Sequence, residues 1–350
     1  MLSSKFKFLF INTKKIIIPF LFICFTILLI IFSGSNLEAA KKGINLWLNS
    51  VLPSLLPFFI ATELLSYTNI IYYIGRFLNN IMRPLFNVPG EGAFAFLMGI
   101  ISGYPTGAKI VSNLKENNIC TKTECERLIA FTNNSGPLFI IGTVGTSLLF
   151  DTSIGFLLLF THILACITVG IIFRFWKYKK EKDSYTRYET KSKPRVTFNN
   201  LGDVIGESIK SATNTVVMIG GFVVLFSVIN SMLNNSNLYN ILINMTSPFF
   251  NFFGLDNSFL QGIYTGLIEL TNGIQYICSI PTKTISTTII ICAFLLGFGG
   301  ISVMLQVLSI TSKSHISIKP YIIGKLLHGI IAAFYTYLII SNFSYFNLNI

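Results

Sequence analysis

Residues 16–32 carry no charged side chain, and comparable apolar runs recur to the far end of the chain. Such a run approaches the roughly 20 residues that an α-helix needs to cross a hydrocarbon core. Inside lipid the backbone amides and carbonyls find no water, so only helices and closed barrels can span it. Barrel strands alternate in polarity at every second residue, whereas residues 16–32 run on without alternation. The expected fold class is therefore all-α, a polytopic membrane protein. Composition agrees: 11% of the 350 residues are charged, against roughly a quarter in soluble domains. That is too little charge to cover a water-facing surface.

The formal charge of +12 does not point to nucleic acid. Its densest stretch, residues 174–195, begins where an apolar span ends, as a cytoplasmic anchor does, and membrane lipid is the expected partner there. The six cysteines are scattered and several sit within apolar runs, as small fillers do. Cys120 and Cys125 lack both zinc-ligand spacing and a neighbouring histidine, so no metal site is expected. Lys5, Lys7, Lys14 and Lys15 before the first run also fit a secretory signal, but the run is long for one and further spans follow. An uncleaved anchor helix over residues 1–35 is expected.

Beyond it, residues 38–49 read as a short amphipathic segment and 50–66 as a span kinked by Pro53 and Pro57. Residues 70–86 mix aromatics with Arg76, Asn79, Asn80 and Arg83, suiting a helix at the interface. Residues 92–101 make half a span, ending at the breaker Ser102-Gly103-Tyr104-Pro105-Thr106-Gly107. A second short helix, 108–117, then returns the chain as a re-entrant hairpin. Residues 124–132 and 138–150 form a span broken at Asn133-Asn134-Ser135-Gly136-Pro137, and 153–176 an unbroken one. This first repeat, residues 36–176, is followed by a basic cytoplasmic loop, 177–200. A second repeat, 201–342, has a span (215–233), an interface-like segment (238–253), a hairpin broken around Glu269-Leu270-Thr271-Asn272-Gly273 (255–281), a span interrupted at Gly297-Phe298-Gly299-Gly300 (285–310) and a last span (318–341). Residues 343–350 are a tail.

One offset relates the halves. Gly43 and Gly206, Phe59 and Phe222, Gly99 and Gly262, Gly103 and Gly266, Ala130 and Ala293, Phe131 and Phe294, and Gly136 and Gly299 are each 163 positions apart. Three crossings per half plus a hairpin that does not cross would invert the second copy. With the N-terminus inside, Lys41, Lys42 and Lys283 fall outside. Arg76, Arg83, Lys109, Lys115, Lys122, Arg127, the central loop, Lys313 and Lys319 fall inside, in the sense that the positive-inside rule requires.

Inverted repeats with broken helices place solute at the midplane, where exposed backbone lines a cavity. The candidate solute-binding groups are Ser102, Tyr104, Thr106 and Lys109 at the first hairpin, and Asn133, Asn134 and Ser135 at the adjoining break. Glu269, Thr271 and Asn272 at the second hairpin face Ser302 beyond the glycine break. Lys109, starting beside a half-helix N-terminus, suits an acidic solute or a snorkelling interfacial role. Glu269, in apolar surroundings, suits a coupling proton or cation, or a plain ion pair. No cofactor is expected. His162, His315 and His328 share no spacing and no catalytic arrangement is evident, so a non-enzymatic transporter is expected. The oligomeric state stays open.

Ser102-Gly103-Tyr104-Pro105-Thr106-Gly107-Ala108-Lys109 and the run from Asn134-Ser135-Gly136-Pro137 to Gly142 resemble the YlbJ family of sporulation integral membrane proteins. Gly297-Phe298-Gly299-Gly300-Ile301-Ser302-Val303 and Lys325-Leu326-Leu327-His328-Gly329 extend the resemblance over nearly the whole chain. The order of elements is also similar to concentrative nucleoside transporters and the wider nucleoside-recognition (Gate) domain, with fewer scaffold helices before the repeats. The resemblance implies a role in spore formation, moving dipicolinic acid, a small aromatic dianion, across the outer forespore membrane. Transport of nucleosides or other solutes, or a non-transporting scaffold for spore assembly, are the alternatives.

Overall fold

The computed structural model describes residues 2–177, 196–252, 254–281 and 285–342, with side chains from residue 16 onward. Most of the basic loop (178–195), Lys283 and the expected tail (343–350) lie outside the described residues.

Among the described residues every regular element is a helix. The first half holds α1 (Leu2–Ile31), α2 (Ser33–Leu46), α3 (Leu52–Ser66), α4 (Ile70–Phe86), α5 (Gly92–Ser102), α6 (Thr106–Glu116), α7 (Lys122–Thr132), a π-helical half-span (Leu138–Leu148) and α8 (Thr152–Phe173). The second half holds α9 (Leu201–Asn235), α10 (Leu238–Asn251), α11 (Asn257–Ile268), α12 (Leu270–Ser279), α13 (Ile285–Phe298), α14 (Gly300–Thr311) and α15 (Lys319–Asn342). Among the described residues five stretches are long and apolar enough to cross a membrane: Ser33–Ser66, Thr152–Phe173, Phe198–Asn235, Ile285–Thr311 and Lys319–Asn342. Ile16, Phe20, Phe22 and Ile30 on α1 are more than half exposed, an apolar surface suited to lipid.

Local chemistry sets the boundaries. The Thr121 hydroxyl accepts from the Glu124 amide while the Glu124 carboxylate accepts from the Thr121 amide, a reciprocal cap that starts α7. Asp151 caps α8 through the Ser153 amide. α4 ends at Asn87 in the left-handed conformation, with φ 54°.

One expected boundary is wrong. Residues 38–49 do not form a separate amphipathic segment, because Ser33–Ser66 is one helical stretch, widened to π-helix at Trp47–Val51. The widening lies immediately before Pro53, whose missing amide removes one hydrogen bond from the helical ladder. Trp47 holds the stretch on α9, its indole Nε1 donating to Val216 O at 3.1 Å. α9 likewise begins earlier than expected and runs for 35 residues.

The two long stretches lie antiparallel. Asn235 donates to Ser35 Oγ, Gly43 lies against Val224 and Ser227, and Trp47 reaches Val216, so numbers rise along one as they fall along the other. Val51 and Phe59 form a small core there with Ala212, Val216, Ile219 and Val223. Most of the remaining helices share one larger core spanning both hairpins and both broken spans, while Tyr239 and Ile243 on α10 pack with Leu260 in a separate small cluster. Element order repeats as expected: long helix, interface-like helix, helical hairpin, broken span, final span.

Arg127 is buried, its guanidinium donating to Asn87 O and twice to Trp176 O at 2.8–3.1 Å. It satisfies backbone at the ends of α4 and α8, and Lys109 is similarly drawn inward. Neither reports on a membrane surface, so the Lys/Arg asymmetry rests on the other basic residues.

Candidate functional site

The first hairpin folds back because α5 ends at Gly103, with φ 81°, a conformation costly for any residue with a Cβ. Its glycines bring the hairpin against the break in the next span. A Cβ on Gly99 would lie 1.8 Å from Thr132 O, one on Gly107 would lie 2.1 Å from the same oxygen, and one on Gly103 would lie 2.8 Å from Gly136 N. Backbone therefore packs on backbone at the C-terminal end of α7. Asn133 then turns its side chain to the start of α6, where Oδ1 accepts from the Ala108 amide at 3.4 Å.

In the second half, α11 stops at Glu269, and α12 starts at Leu270. The buried Glu269 carboxylate caps α12, accepting from the Thr271 amide at 3.2 Å and the Asn272 amide at 2.8 Å. Two aligned amides and the positive end of the helix dipole stabilise a carboxylate in this position. The break is narrower than expected, since Thr271, Asn272 and Gly273 already belong to the first turn of α12. α13 similarly continues through Gly297 and Phe298, and the chain turns only at Gly299 and Gly300, both at positive φ.

The two interruptions meet. The Tyr104 hydroxyl, at the first hairpin tip, donates to Leu296 O at 2.8 Å near the end of α13. Ser135 Oγ, in the first break, also points to Leu296 O, at 3.5 Å. Between the halves lies a recess of about 70 Å³, lined among others by Ser54, Tyr104, Ser135, Glu269, Thr271 and Gln306. Along the Ser33–Ser66 stretch it lies between two other cavities. A larger cleft of about 430 Å³ lies beside residues 46–54 and shares Ser54 and Thr271 with the recess. A cavity of about 210 Å³ lies beside residues 59–69, lined by Lys109, Glu63 and Glu91, and shares no lining residue with the recess.

Four candidates therefore reach the recess: Tyr104, Ser135, Glu269 and Thr271. Thr106 and Lys109 line the third cavity instead. The Lys109 ammonium lies 2.6 Å from a Glu63 carboxylate oxygen and donates to Ser211 and Thr215, each at 3.0 Å. Ser102 bonds Thr62 at 3.0 Å, and Asn272 donates to Ser227 at 2.9 Å. Asn134 points the other way, toward Phe131 O and Cys166. Ser302 is buried beside Gln306, whose amide lies 3.4 Å from its hydroxyl.

Sequence reasoning missed Gln306, Glu63 and a buried polar cluster behind the recess. The Lys325 ammonium donates to Asn133 O at 3.1 Å and lies 5.0 Å from the Tyr104 ring centroid. Tyr321 accepts from Asn133 Nδ2 at 3.1 Å. The rings of His162 and His328 meet at a tilt of 38° with centroids 4.3 Å apart, although nothing in their spacing relates them. A signal for Lys325 was present: a cation inside an apolar span is rare and needs partners.

Comparison with known proteins follows the same lines. A family model described as Gate, nucleoside recognition, matches residues 48–177. Over 342 residues the chain is 36% identical to the sporulation integral membrane protein YlbJ of Bacillus subtilis (strain 168), covering 94% of this chain and 83% of that one. In structure it is similar to CNTnw in an inward-facing substrate-bound state, with TM-score 0.50 and 13% identity over 93% of this chain and 86% of that one. A doubly substituted CNTnw in an outward-facing state gives TM-score 0.51 at the same identity and coverage. At such identity the likeness concerns the fold.

Proposed function

This chain belongs to the YlbJ family of sporulation integral membrane proteins, and from that we propose that it is a transporter moving dipicolinate, a small aromatic dianion, across the outer forespore membrane. The observation that carries the reading is the meeting of two interrupted elements, one from each half, around a polar recess. Interrupted helices expose backbone that is tolerated at membrane depth where it lines a cavity. The antiparallel long helices and the repeated element order support two inverted copies. The recess shares Ser54 and Thr271 with the cleft on one side and no lining residue with the Lys109 cavity on the other, an asymmetry that suits one end-state of an alternating-access cycle.

The buried Lys325 supports an anion, whereas Glu269, which lines the recess, opposes one. The one carboxylate lining the recess, Glu269, is held by two helix amides. Lys325 adds a positive charge behind the Tyr104 ring, with no carboxylate of the described residues in ion-pair distance. Lys109 and Glu63 gate the far cavity in this reading, with the N-terminus and the first hairpin base cytoplasmic. Lys109→Ala is expected to lower dipicolinate accumulation in sporulating cells at least about tenfold, since removing one partner of a largely buried ion pair strands the other. Lys109→Met combined with Glu63→Gln separates the roles: restored protein level with low accumulation keeps Lys109 at the solute path, and normal accumulation removes it.

A second reading, transport of a nucleoside, is favoured by Glu269 itself, because a carboxylate suits hydroxyl and amide donors better than a dianion. Glu269→Gln in proteoliposomes distinguishes them. Dipicolinate uptake is expected to hold or rise as the like charge is removed. A uridine carrier would lose about 10- to 100-fold, the worth of a hydrogen bond to a charged group.

A further inference from the structure

The C-terminal end of a helix leaves carbonyls without amide partners and carries the negative end of the helix dipole. At membrane depth such an end is a place for a cation. α7 ends this way at Thr132, inside the protein, where the chain turns extended at Asn133. Phe131 O accepts from Asn134 Nδ2 at 2.9 Å. Asn133 O accepts from the Lys325 ammonium at 3.1 Å.

Lys325 is fully buried, and its partners are those of a bound cation. Beyond Asn133 O, its ammonium lies 3.2 Å from His328 Nδ1. His328 Nε2 lies 3.0 Å from His162 O; a carbonyl only accepts, so Nε2 carries the ring proton and Nδ1 is free to accept from the ammonium. The Tyr104 ring, with its centroid at 5.0 Å, presents the third contact. All three are neutral groups offering oxygen, nitrogen or π-electrons. A glycine sets this geometry: a Cβ on Gly324 would lie 2.4 Å from Ala130 O, so only glycine lets α15 approach α7 closely enough for its neighbour to reach the break.

We infer that the C-terminal end of α7 is a small-cation site whose occupant is the protein's own Lys325 ammonium, so that the two halves are held together behind the recess without sodium or any other ion from solution. A corollary, that solute movement needs no sodium gradient, rests on the transport reading; the site itself does not.

The test is the thermal stability of the purified full-length protein in detergent, in sodium, ethylammonium or choline chloride at one ionic strength. Wild-type protein is expected to melt at the same temperature in all three. Lys325→Ala is expected to melt about 5 °C lower in choline, from the loss of several contacts to a charged group. It should regain much of that loss in ethylammonium or sodium, which fit the vacated space, whereas choline is too large. Lys325→Met fills the space and should respond to none of the salts. Stabilisation of wild type by sodium over choline would overturn the inference, as would a Lys325→Ala protein indifferent to all three salts. If neither variant folds, the wild-type series alone decides, sodium sensitivity overturning the inference and indifference supporting it. Because melting needs no solute, failure here is distinct from failure of the transport reading, which a wild-type protein inert toward dipicolinate would reveal.

Discussion

Gly107→Ala is expected to destroy the protein's activity by separating the first hairpin from the broken span. The added methyl would lie 2.1 Å from Thr132 O and 2.6 Å from Thr132 C, and a carbonyl at a helix end has no rotamer by which to retreat. Gly99→Ala drives a methyl at the same oxygen from the other arm of the hairpin, at 1.8 Å. Either change forces backbone apart, at a cost of about 3 kcal/mol, the upper end of what overpacking usually takes. It also moves Tyr104 and Ser135, which bridge to Leu296 O. Purified Gly107→Ala should melt well below wild type and show no uptake. Gly202→Ala, on α9 with nothing within 4 Å of the added methyl, is the matched control and should behave as wild type. An active Gly107→Ala protein would mean that the hairpin need not rest on the break.

The second large effect is a block rather than a loss of fold. Ser54 lies where the recess meets the wide cleft and lines both. Its hydroxyl bonds only locally, to Val51 O at 3.0 Å, so Ser54→Ala should be nearly silent. Ser54→Phe puts a ring into the junction beside a recess of about 70 Å³. Uptake should fall by about 100-fold or more while the melting temperature moves little, because the ring has an existing cavity to enter rather than packed core. Uptake near the wild-type rate in Ser54→Phe would place the solute path elsewhere.

Much of this architecture was legible because glycine, proline and charge punctuate apolar sequence strongly. The interface helix α4 begins and ends at the expected residues, and both half-spans of the first broken helix fall within a few residues of expectation. The errors lie where tertiary packing overrides local signals. Lys41, Lys42 and Glu38 made residues 38–49 look detached, yet Gly43 and Trp47 dock that segment on α9 and keep the helix continuous. Thr271 and Asn272 looked like loop residues, but Glu269 accepts from their amides and draws them into α12.

The site was half readable. Interruptions announced Tyr104, Ser135 and Glu269, since polar residues beside a helix break in lipid need a reason. The Lys325 cluster depends on partners far away in sequence: Lys325 meets a carbonyl 192 positions earlier, and the two neighbouring histidines lie 166 positions apart. No spacing rule encodes such meetings. Lys109 shows the converse, a basic residue that looked available for solute until the fold supplied Glu63 as its partner.

The most direct test is uptake of radiolabelled dipicolinate into proteoliposomes holding the purified protein. Saturable uptake above protein-free liposomes, removed by Ser54→Phe and retained by Ser54→Ala, is the result expected if the recess between the halves is a solute path. Uptake of neither dipicolinate nor uridine above protein-free liposomes, from protein that melts cooperatively, would contradict it.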